Sequence, residues 1–93
     1  MQPIENVTSP KPGDIIIDVR HPDDAEQRPL ALNTNQIISL PFFNLGKYAD
    51  QLDRQQSYLL FCDKGIMSRL HADALSKLGF TRVGVFTPSA NNR

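Results

Sequence analysis

The segment DIIIDV, residues 14–19, places three isoleucines and a valine in six positions without alternating apolar and polar residues. A strand with one solvent-facing side would alternate, so this run predicts a strand buried on both faces, as in a parallel sheet covered by helices. Two further runs have the same character, SYLLFC at 57–62 and RVGVF at 82–86. A shorter candidate, QIISL at 36–40, ends at Pro41. Four strands are therefore expected.

Apolar residues with helical spacing separate these strands. Residues 42–52 have them at 42, 45, 48, 49 and 52, which predicts a helix despite Gly46. Residues 66–78 have them at 66, 67, 70, 74, 75 and 78, which predicts a helix that buries this face. Gly79 follows in the usual place of a helix C-cap. Strands that alternate with helices predict an α/β fold with a small, central, mostly parallel sheet, whose strand order stays undetermined.

Segments rich in proline or polar residues mark the expected limits of the folded domain. Residues 1–12 are expected to form a flexible lead-in or linker, residues 13–88 the folded domain and residues 89–93 a tail. The polar stretch 20–29 contains two prolines and predicts a surface loop.

Charge and cysteine content exclude several classes of function. Ten basic and ten acidic residues give a formal net charge of zero, so direct nucleic-acid binding is not expected. A single cysteine excludes an internal disulfide and a multi-cysteine zinc site, so no metal is expected. A lone thiol suits the reducing cytoplasm, and no run approaches the roughly 18 apolar residues of a membrane span. A monomeric, cytoplasmic protein without membrane contacts is the expectation.

The only cysteine, Cys62, ends the predicted strand 57–62 and precedes a glycine-containing loop and a helix. Sites in open α/β sheets form beyond the carboxyl ends of the strands. Unpaired N–H groups of the loop 63–68 and of the helix start could stabilise an anionic sulfur, and Gly65 would let the loop close around it. This position favours a reactive thiol, while a buried, inert cysteine remains the alternative.

The stretch CDKGIMS at 62–68, followed by a helix, resembles the active-site loop of rhodanese-like sulfurtransferases, whose pattern is Cys-x-x-Gly-x-Arg-Ser/Thr. The run DIIIDVR resembles the early strand of that family, which ends in Asp-Val-Arg. More narrowly, the chain resembles the C-terminal rhodanese-like domain of the tRNA 4-thiouridine sulfurtransferases. Similar stretches occur there in the same order as IIIDVR (15–20), SLPF (39–42), YLLFC (58–62) and CDKGIMSR (62–69) here.

The resemblance implies a sulfur-relay function with Cys62 as the covalent catalyst. Cys62 would receive sulfane sulfur from a cysteine desulfurase and carry it as a persulfide, with no other cofactor. The sulfur would pass to a tRNA thiolation (4-thiouridine) acceptor or to the thiamine-thiazole pathway, through an adenylating and tRNA-binding domain or protein. The loop expected to cradle the persulfide consists of Asp63, Lys64, Gly65, Ile66, Met67 and Ser68.

Met67 occupies the position of the loop arginine in the broad rhodanese pattern, and Arg69 follows two residues later as a supporting residue. A dianionic donor such as thiosulfate benefits from a fixed cation, so its use is placed in doubt. Asp18 and Arg20 are expected as supporting residues that mainly satisfy each other. Ser68 is expected to cap the helix. Core positions are expected for Phe42, Phe43 and Tyr48.

Two other functions remain open. One is a non-catalytic rhodanese-like interaction module in which Cys62 is inert. The other is a cysteine-dependent phosphatase or arsenate reductase, whose loops resemble Cys-x5-Arg. Six residues separate Cys62 from Arg69, which leaves such a loop without an arginine in register.

Overall fold

A computed structural model describes residues 4–30, 35–63 and 65–88. Over these residues, one sheet has the strand order β1-β5-β4-β2-β3, and all neighbouring strands run parallel. The predicted α/β class with a central parallel sheet is confirmed. The strands are β1 (Glu5–Val7), β2 (Ile15–Asp18), β3 (Ile37–Ser39), β4 (Tyr58–Phe61) and β5 (Val83–Phe86).

The helices of the described residues are α1 (Pro22–Gln27), α2 (Phe42–Tyr48), which a 3₁₀ turn at Ala49–Gln51 extends, and α3 (Ile66–Lys77). None of them combines the length and the apolar character needed to cross a bilayer. Helix α1 lies where the sequence predicted a surface loop, so that prediction is wrong. Pro22 suits the first helical position, and the His21 ring accepts a hydrogen bond from the amide of Asp23. Six residues are too few for apolar periodicity to reveal such a helix.

Strand β1 gives regular secondary structure to residues 5–7, within the segment 1–12 that was expected to be a lead-in or linker. It pairs with β5, where Gly84 permits a close approach: a Cβ atom there would lie 3.1 Å from the carbonyl oxygen of Glu5. Arg69 of α3 donates a hydrogen bond to Asn6 at 2.8 Å. Contacts with distant residues therefore determine this short strand, whereas the predicted tail at 89–93 lies outside the described residues.

The main core lies between one face of the sheet and helices α2 and α3. A second, smaller apolar cluster of Ile16, Leu59 and Phe86 occupies the opposite face. Burial on both faces agrees with the unbroken apolar run in β2. The main core consists of Ile17, Val19, Leu45, Ala49, Tyr58, Leu60, Ala72, Leu75, Phe80 and Val85.

Helix α3 buries a different face from the one predicted. Its buried residues are Ser68, Ala72 and Leu75, which follow helical spacing. The apolar residues Ile66 and Leu70 are instead 72% and 60% exposed. Apolar periodicity gives no weight to small residues such as Ser68 and Ala72, so the sequence could not reveal that they face the sheet.

Other apolar residues in and next to α3 are exposed as well, and the aromatic residues of α2 are partly buried or exposed. Leu78 and Met67 are also exposed, as are Ala74 in α3 and Phe43 in α2. The core prediction is therefore wrong for Phe43. Phe42 and Tyr48 are half-buried.

A buried ion pair closes the carboxyl end of β2. Arg20 donates from Nε to Oδ1 of Asp18 at 2.9 Å and from Nη2 to Oδ2 at 2.8 Å, as the sequence predicted for these two residues. The hydrogen bond to Asp18 raises the pKa of the Arg20 guanidinium above its ordinary value, and the charges of Asp18, Asp63 and Asp24 act in the same direction against burial. The guanidinium also lies 4.8 Å from the centre of the Phe61 ring.

Replacement Arg20→Met is expected to lower the free energy of unfolding by about 3 kcal/mol, because it leaves the Asp18 carboxylate buried without its partner. The double variant Asp18→Asn/Arg20→Met should recover part of this loss. Urea unfolding measures both. Arg82→Met, which removes an exposed arginine, is the control and should cost less than about 1 kcal/mol. If Arg20→Met and Arg82→Met lower the free energy of unfolding equally, the prediction is wrong.

Burial lowers the pKa of His71, in α3, from its ordinary value of 6.5. The unfolded chain therefore takes up this proton at a higher pH than the folded chain, so acidification through this range favours unfolding. The free energy of unfolding is expected to fall between pH 7.5 and pH 5.5, and less steeply in His71→Asn. Urea unfolding of both proteins at both pH values tests this. An equal fall in the free energy of unfolding in the wild-type protein and in His71→Asn would refute it.

Candidate active site

The central strand β4 delivers Cys62 to the carboxyl edge of the sheet. The strand ends at Phe61, one residue earlier than predicted, and Phe61 lies in register with Asp18 of β2. Cys62 follows directly and is half-buried. It opens into a depression of about 380 Å³, which is also lined by Arg20, His21, Asp24, Phe42, Asp63, Ile66 and Met67.

Backbone amides at the start of α3 converge on the sulfur of Cys62. The Gly65 N–H donates to Sγ at 3.1 Å, and the Ser68 N–H donates at 3.3 Å. Gly65 has φ = 79°, a left-handed conformation that favours glycine and that brings the chain back over the sulfur. The sulfur thus accepts a hydrogen bond from the first turn of α3, as a capping side chain does in other helices.

Ser68 contributes its side chain as well as its amide. It is fully buried, and its Oγ lies 3.4 Å from Sγ of Cys62. The prediction that Ser68 caps the helix is wrong, because the N-cap position belongs to Gly65. A thiol at Cys62 donates to this oxygen, whereas a hydroxyl group can turn and donate to a thiolate.

Two arginines neutralise the carboxylate next to Cys62. Asp63 accepts a hydrogen bond from Nη2 of Arg28 at 2.7 Å, and Nη1 of Arg20 lies 3.7 Å from its other oxygen. The negative charge that would oppose a thiolate is thereby paired. The sequence interpretation missed Arg28, although Asp24 and Arg28 have the i, i+4 spacing of a helical ion pair and lie 3.8 Å apart.

The structure does not bring every expected residue to the site. Arg69 extends toward β1, where it contacts Asn6 and the carbonyl oxygen of Ile4, so its proposed support of the loop is not seen. Ile66 and Met67 line the depression with their side chains. Lys64 lies outside the described residues.

The chemistry available at this site is nucleophilic. A half-buried thiol meets two amides, a hydroxyl group and the start of a twelve-residue helix, all of which stabilise negative charge on sulfur. Within the described ranges, no group of three or more His, Cys, Asp or Glu residues is placed to hold a metal ion. A phosphate-binding loop would require an arginine available to hold the oxyanion. Arg69 contacts Asn6 instead, and Arg20, which lines the depression, is paired with the buried Asp18.

Fold and site together define a small parallel α/β domain with a cysteine held at the N-terminus of a helix, as the resemblance to rhodanese-like sulfurtransferases implied. No protein-family model matches the chain. The chain is homologous to a part of the tRNA sulfurtransferases, which confirms the narrower resemblance. It is 46% identical over 86 residues to the tRNA sulfurtransferase of Pseudomonas paraeruginosa, which covers 92% of the chain.

Two further relatives give similar values. The tRNA sulfurtransferase of Photorhabdus laumondii is 46% identical over 85 residues, or 91% of the chain. That of Marinobacter nauticus is 40% identical over 86 residues, or 92% of the chain. The matched region is 18% of the length of each of these three relatives.

Replacement Ser68→Ala is expected to reduce the ratio of thiolate to thiol at Cys62 about fivefold at neutral pH, because it removes a hydroxyl contact worth about 1 kcal/mol. Absorbance of the thiolate at 240 nm, against a Cys62→Ser blank, measures the ratio. Ser76→Ala, in the same helix but away from Cys62, is the control and should leave it unchanged. An unchanged ratio in Ser68→Ala would show that the hydroxyl group does not stabilise the thiolate.

Proposed function

We propose that this chain is a sulfur-relay domain in which Cys62 carries sulfane sulfur as a persulfide. The observation that carries the proposal is the convergence of the Gly65 and Ser68 amides on Sγ. Homology to proteins named tRNA sulfurtransferase supports sulfur transfer as the reaction class. No cofactor besides the covalently bound sulfur is required.

The loading step exchanges one sulfur–sulfur bond for another. The thiolate of Cys62 attacks the terminal sulfur of a donor Cys–S–SH group, the donor bond breaks, and the donor cysteine leaves as a thiolate with the electron pair. Cys62 then bears the terminal sulfur, and no net oxidation occurs. A cysteine desulfurase, which forms such a persulfide from cysteine, is the proposed donor.

The same surroundings suit the loaded state. A persulfide is an anion with its charge on the outer sulfur, one bond beyond Sγ. The depression beside Cys62 provides room for that atom, and the start of α3 favours its charge. The neutralised Asp63 does not repel it, because Arg28 and Arg20 hold its carboxylate.

Delivery requires groups that this chain does not supply. In tRNA thiolation, the outer sulfur would attack a uridine carbon activated by adenylation, displace the adenylate and leave a disulfide link to Cys62. An external thiol would release the thiolated product, and a second would restore Cys62, since the sequence contains no other cysteine. A separate adenylating and tRNA-binding domain or protein is the proposed partner. Delivery to thiamine-thiazole synthesis is a second expectation from the family resemblance.

The protein is expected to gain the mass of one sulfur atom on Cys62 when incubated with a cysteine desulfurase and cysteine. Intact-mass spectrometry and peptide mapping measure this gain, and a reducing thiol should reverse it. Cys62→Ser should gain nothing. If the desulfurase becomes loaded and the wild-type protein gains no sulfur, the proposed sulfur relay is wrong. A slow reaction of Cys62 with iodoacetamide in the same protein would then favour a non-catalytic interaction module.

A further inference from the structure

The first turns of α3 are inverted with respect to an ordinary surface helix. The polar Ser68 is fully buried, while Ile66 is 72% and Leu70 60% exposed. Single exposed apolar residues are common on protein surfaces, whereas contiguous exposed apolar patches are typical of interaction sites. Ile66 and Leu70 are four residues apart and therefore lie on one side of the helix.

These residues continue around the opening of the Cys62 depression. Ile66 and Met67 line the depression itself, together with Phe42 of α2. Phe43 is 56% exposed, and its ring lies 5.2 Å from that of Phe42 and 5.9 Å from that of His21. We name the exposed set the apolar rim; it consists of Phe43, Ile66, Met67 and Leu70.

The opening has an acidic side at α1. Arg20 also lines the depression, but its guanidinium is paired with Asp18 and lies near Asp63. Helix α1 carries Asp23, Asp24 and Glu26 and has no basic residue in its last turn. Asp24 lines the depression, and Arg28, which follows the helix, is engaged with Asp63 and Asp24. Phosphate groups of an RNA would meet these carboxylates, whereas basic side chains would be attracted.

We propose that the apolar rim is the docking surface for a protein sulfur donor, which inserts an apolar loop bearing its persulfide cysteine and places basic side chains against α1. This inference rests on the proposed sulfur-relay function. Two observations carry it: the rim is continuous with the opening through which sulfur must reach Cys62, and the neighbouring charges select a basic protein surface over RNA. The burial of Leu70 and Phe43 in the complex supplies the attraction.

The apolar rim would also favour a protein-bound persulfide over thiosulfate as the sulfur donor, because the loop has Met67 where the rhodanese pattern has an arginine. Met67 lines the depression where that pattern has a cation. An apolar side chain offers nothing to a small dianion, but it adds contact area for a protein loop. Specificity for a protein-bound persulfide would thus come from the same substitution that disfavours thiosulfate.

The test measures transfer of ³⁵S from a purified cysteine desulfurase, loaded with labelled cysteine, to Cys62 over a range of desulfurase concentrations. Leu70→Lys places a cation on the rim without touching the depression. Its half-saturating donor concentration is expected to rise at least about fivefold, the equivalent of about 1 kcal/mol, with the maximal rate unchanged. Leu78→Lys is the matched control, because Leu78 is 50% exposed at the far end of the same helix, and it should change the value less than about twofold.

A charge variant tests the acidic side independently. Glu26→Lys is expected to raise the half-saturating concentration at low salt and to weaken its dependence on salt, while Glu5→Lys, on the distant strand β1, should leave both unchanged. Alkylation of Cys62 by iodoacetamide should proceed at the wild-type rate in all four variants, which verifies that the site is intact.

The outcomes separate this inference from the proposed function. Failure of the wild-type protein to take up label overturns the proposed function and the rim with it. Labelling in which Leu70→Lys and Leu78→Lys behave alike overturns the rim and leaves the sulfur relay standing. If Leu70→Lys instead strengthens a gel shift with tRNA and leaves sulfur loading unchanged, RNA is the occupant and the inference is wrong.

Discussion

Pairing of β4 with β2 on one side and β5 on the other is the constraint on which the site depends. Parallel strands bring their carboxyl ends to one edge, so the residues that follow β2 and β4 meet there. Asp18 and Phe61 are in register, which places Arg20 over the Phe61 ring and beside the loop that begins at Cys62. A shift of this register by one residue would turn the inward side chains outward and separate the arginine from that loop.

Negative charge at the site is balanced in two ways that use different parts of the chain. Backbone amides of α3 act directly on the sulfur, and their effect needs no charged side chain. Arg20 and Arg28 act on Asp63 instead, which removes an opposing charge from the vicinity. Arg20 is itself held by Asp18, so the buried ion pair contributes both to the stability of the sheet edge and to the electrostatics of the loop.

The sequence predicted the parts of this molecule that depend on long or unbroken patterns. The runs around Ile16, Leu60 and Val85 predicted β2, β4 and β5, and the position of Cys62 after a strand predicted the loop and helix that follow. It failed where a few residues depend on distant partners. Strand β1 needs Gly84 and Arg69, α1 needs its cap at His21, and the buried face of α3 is set by Ser68 against Cys62.

Two groups that donate to the sulfur, the N–H groups of Gly65 and Ser68, belong to the main chain, and this has a consequence for how the sequence of this loop can vary. Every amino acid except proline supplies an N–H group, so substitutions at 66 and 67 can change the surface around the opening without deleting a donor. Among the described residues of the loop, the amino-acid type matters for the sulfur contacts at Gly65, because of its left-handed backbone, and at Ser68, because of its buried hydroxyl group. Under the proposed sulfur relay, the residues that hold the sulfur and the residues that contact a partner are therefore different residues of one short loop, so that substitution of the second set can leave the first unchanged.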